Sequence, residues 1–302
     1  LSRDLLQEID KKKQQLNAVI MAHFYQLPEI QEAADFVGDS LQLAKQAAET
    51  DAQVIVFCGV GFMAESAKIL NPQKTVILPD ANAGCPMADM ADAYALREMK
   101  KQHHNAVVVS YVNTSAEVKA ESYICCTSAN AVQVVNSIPE DKEIIFVPDK
   151  NLGAYIQSRT GRDMILWEGC CPVHDALTTL QLEEQMRLHP GVKVAVHPEC
   201  PPEITRMADA VRSTAGILEY VRYSPEQEFI IGTEQGFLYT LQKACPEKKF
   251  YLARTGFECP DMKYITLPKL NEALINKQYQ IEVPEDIRKN AYLALQRMLA
   301  IK

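Results

Sequence analysis

The sequence predicts an α/β protein made of three similar units with parallel sheets. Three observations predict it. Short, near-continuous apolar runs rich in Val and Ile alternate with helix-like stretches along the chain. Strands buried on both faces read this way, because helices cover both sides of a parallel sheet. Three segments also open alike: "AVIMAHFYQ" from Ala18, "AVVVSYVNT" from Ala106 and "VKVAVHPEC" from Val192. Finally, offsets of 88 and then 86 residues lay polar residue on polar residue. His23 falls on Tyr111 and His197, Tyr25 on Asn113 and Glu199, and Ser40 on Ser128 and Thr214. The competing reading is one long doubly wound sheet, since any βα alternation looks repetitive. The common register favours three units.

The elements follow in order. "LSRDLLQEIDKKKQQL" reads as a charged amphipathic helix within residues 1–17. The first unit is expected over 18–102, the second over 103–190 and the third over 191–275. A closing segment, 276–302, carries the helix pattern "PEDIRKNAYLALQRMLAIK". Each unit opens on a β-branched strand with a polar tip. Further on, a small hydroxyl residue precedes an apolar periodic run: "GDSLQLAKQA", "TSANAVQVV" and "STAGILEYV". That is a helix N-cap pattern. A second strand follows ("VIVFCG", "EIIFVP", "FIIGT"), then a helix and a third strand ("TVILPD", "DMILWE", "KFYLAR"). Ligands of parallel α/β units gather outside the carboxyl ends of strands. The three polar tips are therefore expected to face one cavity near a pseudo-threefold axis.

Composition bounds the function. The 302 residues are 47% hydrophobic and 23% charged, with a net charge of −8. These are globular proportions, and the negative charge argues against nucleic acid or an anionic membrane as partner. No apolar run approaches the roughly 20 residues of a membrane span. The charged start of the chain does not resemble an export signal. Nine cysteines, an odd number, fit a reducing cytoplasm, where they serve as core fillers, metal ligands or nucleophiles.

The stretch "EGCCPVHDA" places Cys170 beside Cys171 and offers no local way to choose between them. The register does. Cys85, Cys171 and Cys259 are equivalent, and each precedes a proline; Cys170 maps instead to Gly84 and Glu258. Proline biases the preceding residue to extended backbone, which helps aim a thiolate. Three equivalent thiolates around one axis suit zinc with an open position, or a [4Fe–4S] cube with one iron left open as a Lewis acid. Buried core cysteines are the plainer alternative.

At this point the motifs themselves are informative. "AHFYQ", "GDSLQLA", "FMAES", "CPMA", "YVNTSAE", "TSANA", "GCCPVH", "HPEC", "STAG" and "GTE" occur in this order. Together they resemble the signatures of the quinolinate synthase family, the A proteins of bacterial and archaeal NAD biosynthesis. The likeness runs from about residue 18 to residue 270. It implies three homologous three-layer αβα domains around a pseudo-threefold axis, and an oxygen-sensitive [4Fe–4S] cluster on Cys85, Cys171 and Cys259. The implied reaction condenses iminoaspartate with dihydroxyacetone phosphate to quinolinic acid, with loss of phosphate and two waters. An aspartate-oxidising enzyme supplying the imine is the implied functional partner. His23, Ser40, Tyr111, Asn113, Ser128, His197, Glu199 and Thr214 match the substrate-contacting set, and Tyr25 an active-site tyrosine. Two positions depart from the family. Its members often carry histidine where this chain has Cys170, and some carry a further cysteine where this chain has Met262.

The chemistry suits these residue types. Hydroxyls and free N–H groups at helix N-termini bind carboxylates and phosphates, a role for Ser40, Ser128 and Thr214 if they are more than plain caps. Ring closure needs repeated proton transfers, expected of Glu199 and Tyr25 with help from His23 and His197. If their strands continue, residues 197 and 199 share a face, as do 23 and 25, and 111 and 113. Tyr111 and Asn113 are expected to orient a carboxylate. His174 is expected either to hydrogen-bond beside the metal or to pack beneath its loop. Met63 reads as core.

Overall fold

The computed structural model of the chain describes residues 2–301. Its strands are β1 (Ala18–His23), β2 (Phe36–Gly38), β3 (Val54–Cys58), β4 (Thr75–Ile77), β5 (Ala106–Tyr111) and β6 (Ile124–Cys126). The others are β7 (Glu143–Val147), β8 (Ile165–Leu166), β9 (Lys193–Val196), β10 (Ala210–Val211), β11 (Glu228–Gly232) and β12 (Lys249–Leu252). They form three separate four-stranded sheets, ordered β2-β1-β3-β4, β6-β5-β7-β8 and β10-β9-β11-β12. Every pairing between these strands is parallel. The same order recurs three times, as one repeated α/β plan requires, and helices layer the sheets as αβα.

The long apolar runs become strands where the sequence places them. The structure adds a fourth, short strand to each sheet: β2, β6 and β10. Two or three residues are too few to show a run or an alternation. These edge strands matter for the site, because each ends just before the hydroxyl-bearing segment. Burial explains the rest. All five residues of β3 are buried, as are five of the six in β1.

The helix starts correct one expectation. Ser40 and Thr214 are not the caps. The helix Ser40–Glu49 is capped by Asp39, whose side chain accepts from the Leu41 and Gln42 N–H groups in a capping box. The helix Thr214–Tyr223 is capped by Ser213, which accepts from Gly216 N–H at 3.2 Å. Ser128 lies two residues before Asn130, the residue that precedes the helix Ala131–Asn136. A neighbour carries out the capping at the first and third positions. Burial of Ile217 and Val221 on one face then anchors the third of these helices, at about 1.5–3 kcal/mol per side chain.

The chain ends fold back on the first two sheets. The helix Ser2–Gln15 packs against β1 and the helix Leu267–Asn276. Tyr279 exchanges two backbone hydrogen bonds with Leu78, both 2.9 Å. The helix Glu285–Ala300 packs against β6 and the helices Ala116–Ala120 and Gly61–Leu70. Among the described residues, no helix is long and apolar enough to cross a membrane.

Candidate active site

A cavity lined by residues of all three units opens where the three sheets meet at their carboxyl ends. His23, Tyr25, Ser40 and Cys85 line it from the first unit. Tyr111, Asn113, Ser128 and Cys171 line it from the second, and His197, Glu199, Thr214 and Cys259 from the third. The fold thus brings all twelve residues singled out in the sequence to one space. Met63, read from the sequence as core, is buried and also reaches the wall.

Strand alternation is not what presents the paired residues. β1 ends at His23 and β9 at Val196, and each chain then turns, with Gln26 N–H bonding His23 O at 3.0 Å and Cys200 N–H bonding His197 O at 3.1 Å. Within the turns the two histidines do the same thing. Tyr25 N–H donates to His23 Nδ1 at 3.2 Å, and Glu199 N–H donates to His197 Nδ1 at 3.3 Å. An accepting Nδ1 leaves the ring proton on Nε2. His197 Nε2 lies 3.1 Å from Ser128 Oγ. Burial pulls the His23 ring down to about 3, helped by the neighbouring His197. It pulls the His197 ring down to about 4, although Glu199 opposes the shift. Neutral and fixed, both rings offer Nε2–H as a donor.

A continuous hydrogen-bonded chain crosses the cavity wall. Tyr25 Oη lies 2.6 Å from Thr233 Oγ1 and 3.0 Å from Thr214 Oγ1. Thr233 Oγ1 lies 2.9 Å from His174 Nε2. His174 Nδ1 lies 2.8 Å from Glu199 Oε2, and Tyr111 Oη donates to Glu199 Oε1 at 2.6 Å. The carboxylate sets the polarity, since it can only accept. His174 donates from Nδ1, so Nε2 accepts from Thr233, whose oxygen accepts from Tyr25. Burial alone would raise the Glu199 carboxyl. The His197 and His174 rings and the bonds from His174 and Tyr111 outweigh it and pull the group down to about 2. Burial, and then the Glu199 charge, push both phenols well above their ordinary range.

The three thiols line the same cavity. Cys85 and Cys171 are extended (φ −147° and −75°), and each leads into a short helix that begins at the following proline. Cys259 precedes Pro260 and the 3₁₀ turn Asp261–Lys263. Burial raises the Cys85 thiol to about 12 and the Cys259 thiol to about 11, and pushes Cys171 well above its usual range. Backbone N–H groups of the following turn oppose this at each sulfur: Ala88 and Met87, His174, and Met262 and Asp261. Such thiols become thiolates when a metal binds them. Cys170 does not reach the cavity.

Two donor sets could hold metal. Cys171, His174 and Glu199 offer atoms within 4.8 Å of one another. Yet Glu199 Oε2 and Cys171 Sγ both approach one atom, His174 Nδ1, at 2.8 and 3.2 Å. Nitrogen and oxygen ligands of tetrahedral zinc stay roughly 3.4 Å apart, so this trio reads as hydrogen bonding. Among the described residues the three cysteine sulfurs do not form such a close set. Three thiolates facing one cavity are ligands that zinc or an iron–sulfur cluster can take. Asn113 Oδ1 is buried at the cavity with no partner, an acceptor free for a ligand.

Three functional groups escaped the repeat. His174 has Ala88 and Met262 as its equivalents, Thr233 has Gly59 and Val147, and Glu234 has Val60 and Pro148. A search for polar triplets passes over them. The "GTE" motif held the signal for two.

The family described as quinolinate synthetase A protein matches residues 7–300. A quinolinate synthase of Desulforudis audaxviator (strain MP104C) is 54% identical over 301 residues, covering 100% of this chain and 99% of its own. Quinolinate synthase 1 of Methanosarcina acetivorans is 52% identical over 299 residues, with 99% and 98% covered. One from Thermodesulfovibrio yellowstonii is 52% identical over 297 residues, with 98% of each chain covered.

Proposed function

This chain belongs to the quinolinate synthetase A protein family, and we propose that it makes quinolinic acid from iminoaspartate and dihydroxyacetone phosphate. Atoms balance with release of one phosphate and two waters. Such a product feeds NAD biosynthesis, and an aspartate-oxidising enzyme would supply the imine. The observation that carries the reading is one cavity that gathers three register-related thiols beside the Tyr25–Thr233–His174–Glu199 chain.

Cys85, Cys171 and Cys259 would hold a [4Fe–4S] cluster, which supplies a Lewis-acidic iron with an open position when bound. The protein's own groups account for the rest. Ser40 heads its helix while Asp39 does the capping, which leaves its hydroxyl for a substrate anion. Thr214 is likewise relieved of capping by Ser213, and its hydroxyl meets Tyr25 Oη at 3.0 Å, so it would bind substrate by exchanging that bond. His197 presents Nε2–H beside Ser128, and Asn113 presents an unpaired carbonyl.

Tyr25 is the proton-transfer group at the end of the chain. Its proton passes to Thr233 Oγ1 as the threonine proton passes to His174 Nε2. The imidazolium so formed is stabilised by Glu199, and Tyr25 is left as a phenolate able to take a proton from carbon or a hydroxyl. Return of the proton along the same path serves the dehydrations. Glu199 thus acts through His174 and holds Tyr111, and is not itself the group that meets substrate protons. The direct test is quinolinate formation by the anaerobically purified chain from the two substrates. No product from a chain that carries its metal would overturn the reading.

A further inference from the structure

Glu234 lines the cavity, yet both of its oxygens are committed. Oε1 accepts from Cys259 N–H at 3.2 Å and pairs with Lys263 Nζ at 2.8 Å. Oε2 accepts from Gly236 N–H at 2.7 Å. The side chain is 0% exposed and that of Lys263 is 14% exposed. Lys263 also donates to the backbone carbonyl of Tyr25. The two loops touch closely enough to require glycine: a Cβ at Gly236 would lie 2.7 Å from Tyr25 O and 2.9 Å from Gln26 O. Gln31 Nε2 bridges the same contact, bonding Gln26 O at 2.9 Å and Gly236 O at 3.0 Å.

We propose that Glu234 and Lys263 are positioning residues that latch the Cys259 loop to the Tyr25 loop, so that the third thiol and the reactive phenol take their places together. A carboxylate whose two oxygens are both already bonded is poorly placed to move protons. An ion pair that also holds two backbone N–H groups and one backbone carbonyl is well placed to join two segments. Tyr25 and Lys263 lie 238 residues apart in sequence, and the two loops meet in space through this one lysine. The inference rests on the reading of Cys259 as a metal ligand and Tyr25 as the proton-transfer group for its meaning, but its test needs neither.

The test is hydrogen–deuterium exchange on the full-length chain. It compares the parent with Lys263→Met, Lys263→Arg and the double variant Glu234→Gln/Lys263→Met. Hydrogen bonds to charged groups are worth about 1.5–3 kcal/mol, so exchange at both loops, around residues 24–26 and 258–262, should rise about tenfold or more in Lys263→Met. The double variant should stay loose at both loops, Lys263→Arg should return towards the parent, and β5 should not change. Loosening at one loop alone or at neither would overturn the latch. So would recovery in the double variant, which would mean that the effect came only from a stranded charge. Equal loosening of β5 would mean general destabilisation and would also overturn it. Because no turnover is read, failure of the latch stays distinct from failure of the proposed reaction.

Discussion

The Tyr25 phenol lies 2.6 Å from the Thr233 hydroxyl, which joins the first sheet's end loop to the third's. Thr233 is fully buried, and its oxygen also meets His174 Nε2 at 2.9 Å. Thr233→Val keeps the shape and removes the relay atom. It should lower kcat by about 10²- to 10³-fold with little change in KM, while Thr233→Ser keeps most activity. Steady-state kinetics of quinolinate formation decide it. Wild-type kcat in Thr233→Val would remove the relay.

Glu199→Gln leaves one acceptor oxygen where two are bonded, so His174 and Tyr111 cannot both keep their hydrogen bonds. Turnover should fall about 10³-fold or more while metal content stays at the parent level. The variant should also titrate its buried phenols at lower pH, because the Glu199 charge helps hold both Tyr25 and Tyr111 up. Ultraviolet difference titration reads this. An unchanged phenol titration would contradict the arrangement.

His23 links the site to stability. Burial lowers its ring from 6.5 to about 3. The unfolded chain therefore takes up this proton first as pH falls. Stability from burying the neutral ring is complete above about 6.5 and is lost as pH falls towards 3. One proton of difference amounts to about 1.4 kcal/mol per pH unit in that window. His23→Asn should flatten the pH dependence of urea unfolding by about this slope between about pH 6 and pH 4. Parallel curves for parent and variant would count against a buried neutral ring.

Much of this was legible in the residues, for physical reasons. Parallel strands buried over most of their length leave near-continuous apolar runs, so β1, β3, β5 and β7 could be read directly. The strand-tip and cysteine triplets were legible because one plan recurs at a fixed offset. What breaks the repeat was not. His174, Thr233 and Glu234 work only in one copy, where the three ends differ to make one asymmetric relay. The capping roles of Asp39 and Ser213 were hidden beside the hydroxyls they free. The neutral state of His23 and His197 depends on burial, which composition does not reveal.

Metal content gives the most direct measurement. The parent, Cys85→Ser, Cys170→Ser, Cys171→Ser and Cys259→Ser are purified without oxygen, and iron, sulfide and zinc are measured per chain. The parent and Cys170→Ser should each hold about four iron and four sulfide with broad absorbance near 400 nm, and the other three should lose them. A colourless parent holding zinc would contradict the assignment, as would a Cys170→Ser protein that bleaches while Cys171→Ser keeps its iron.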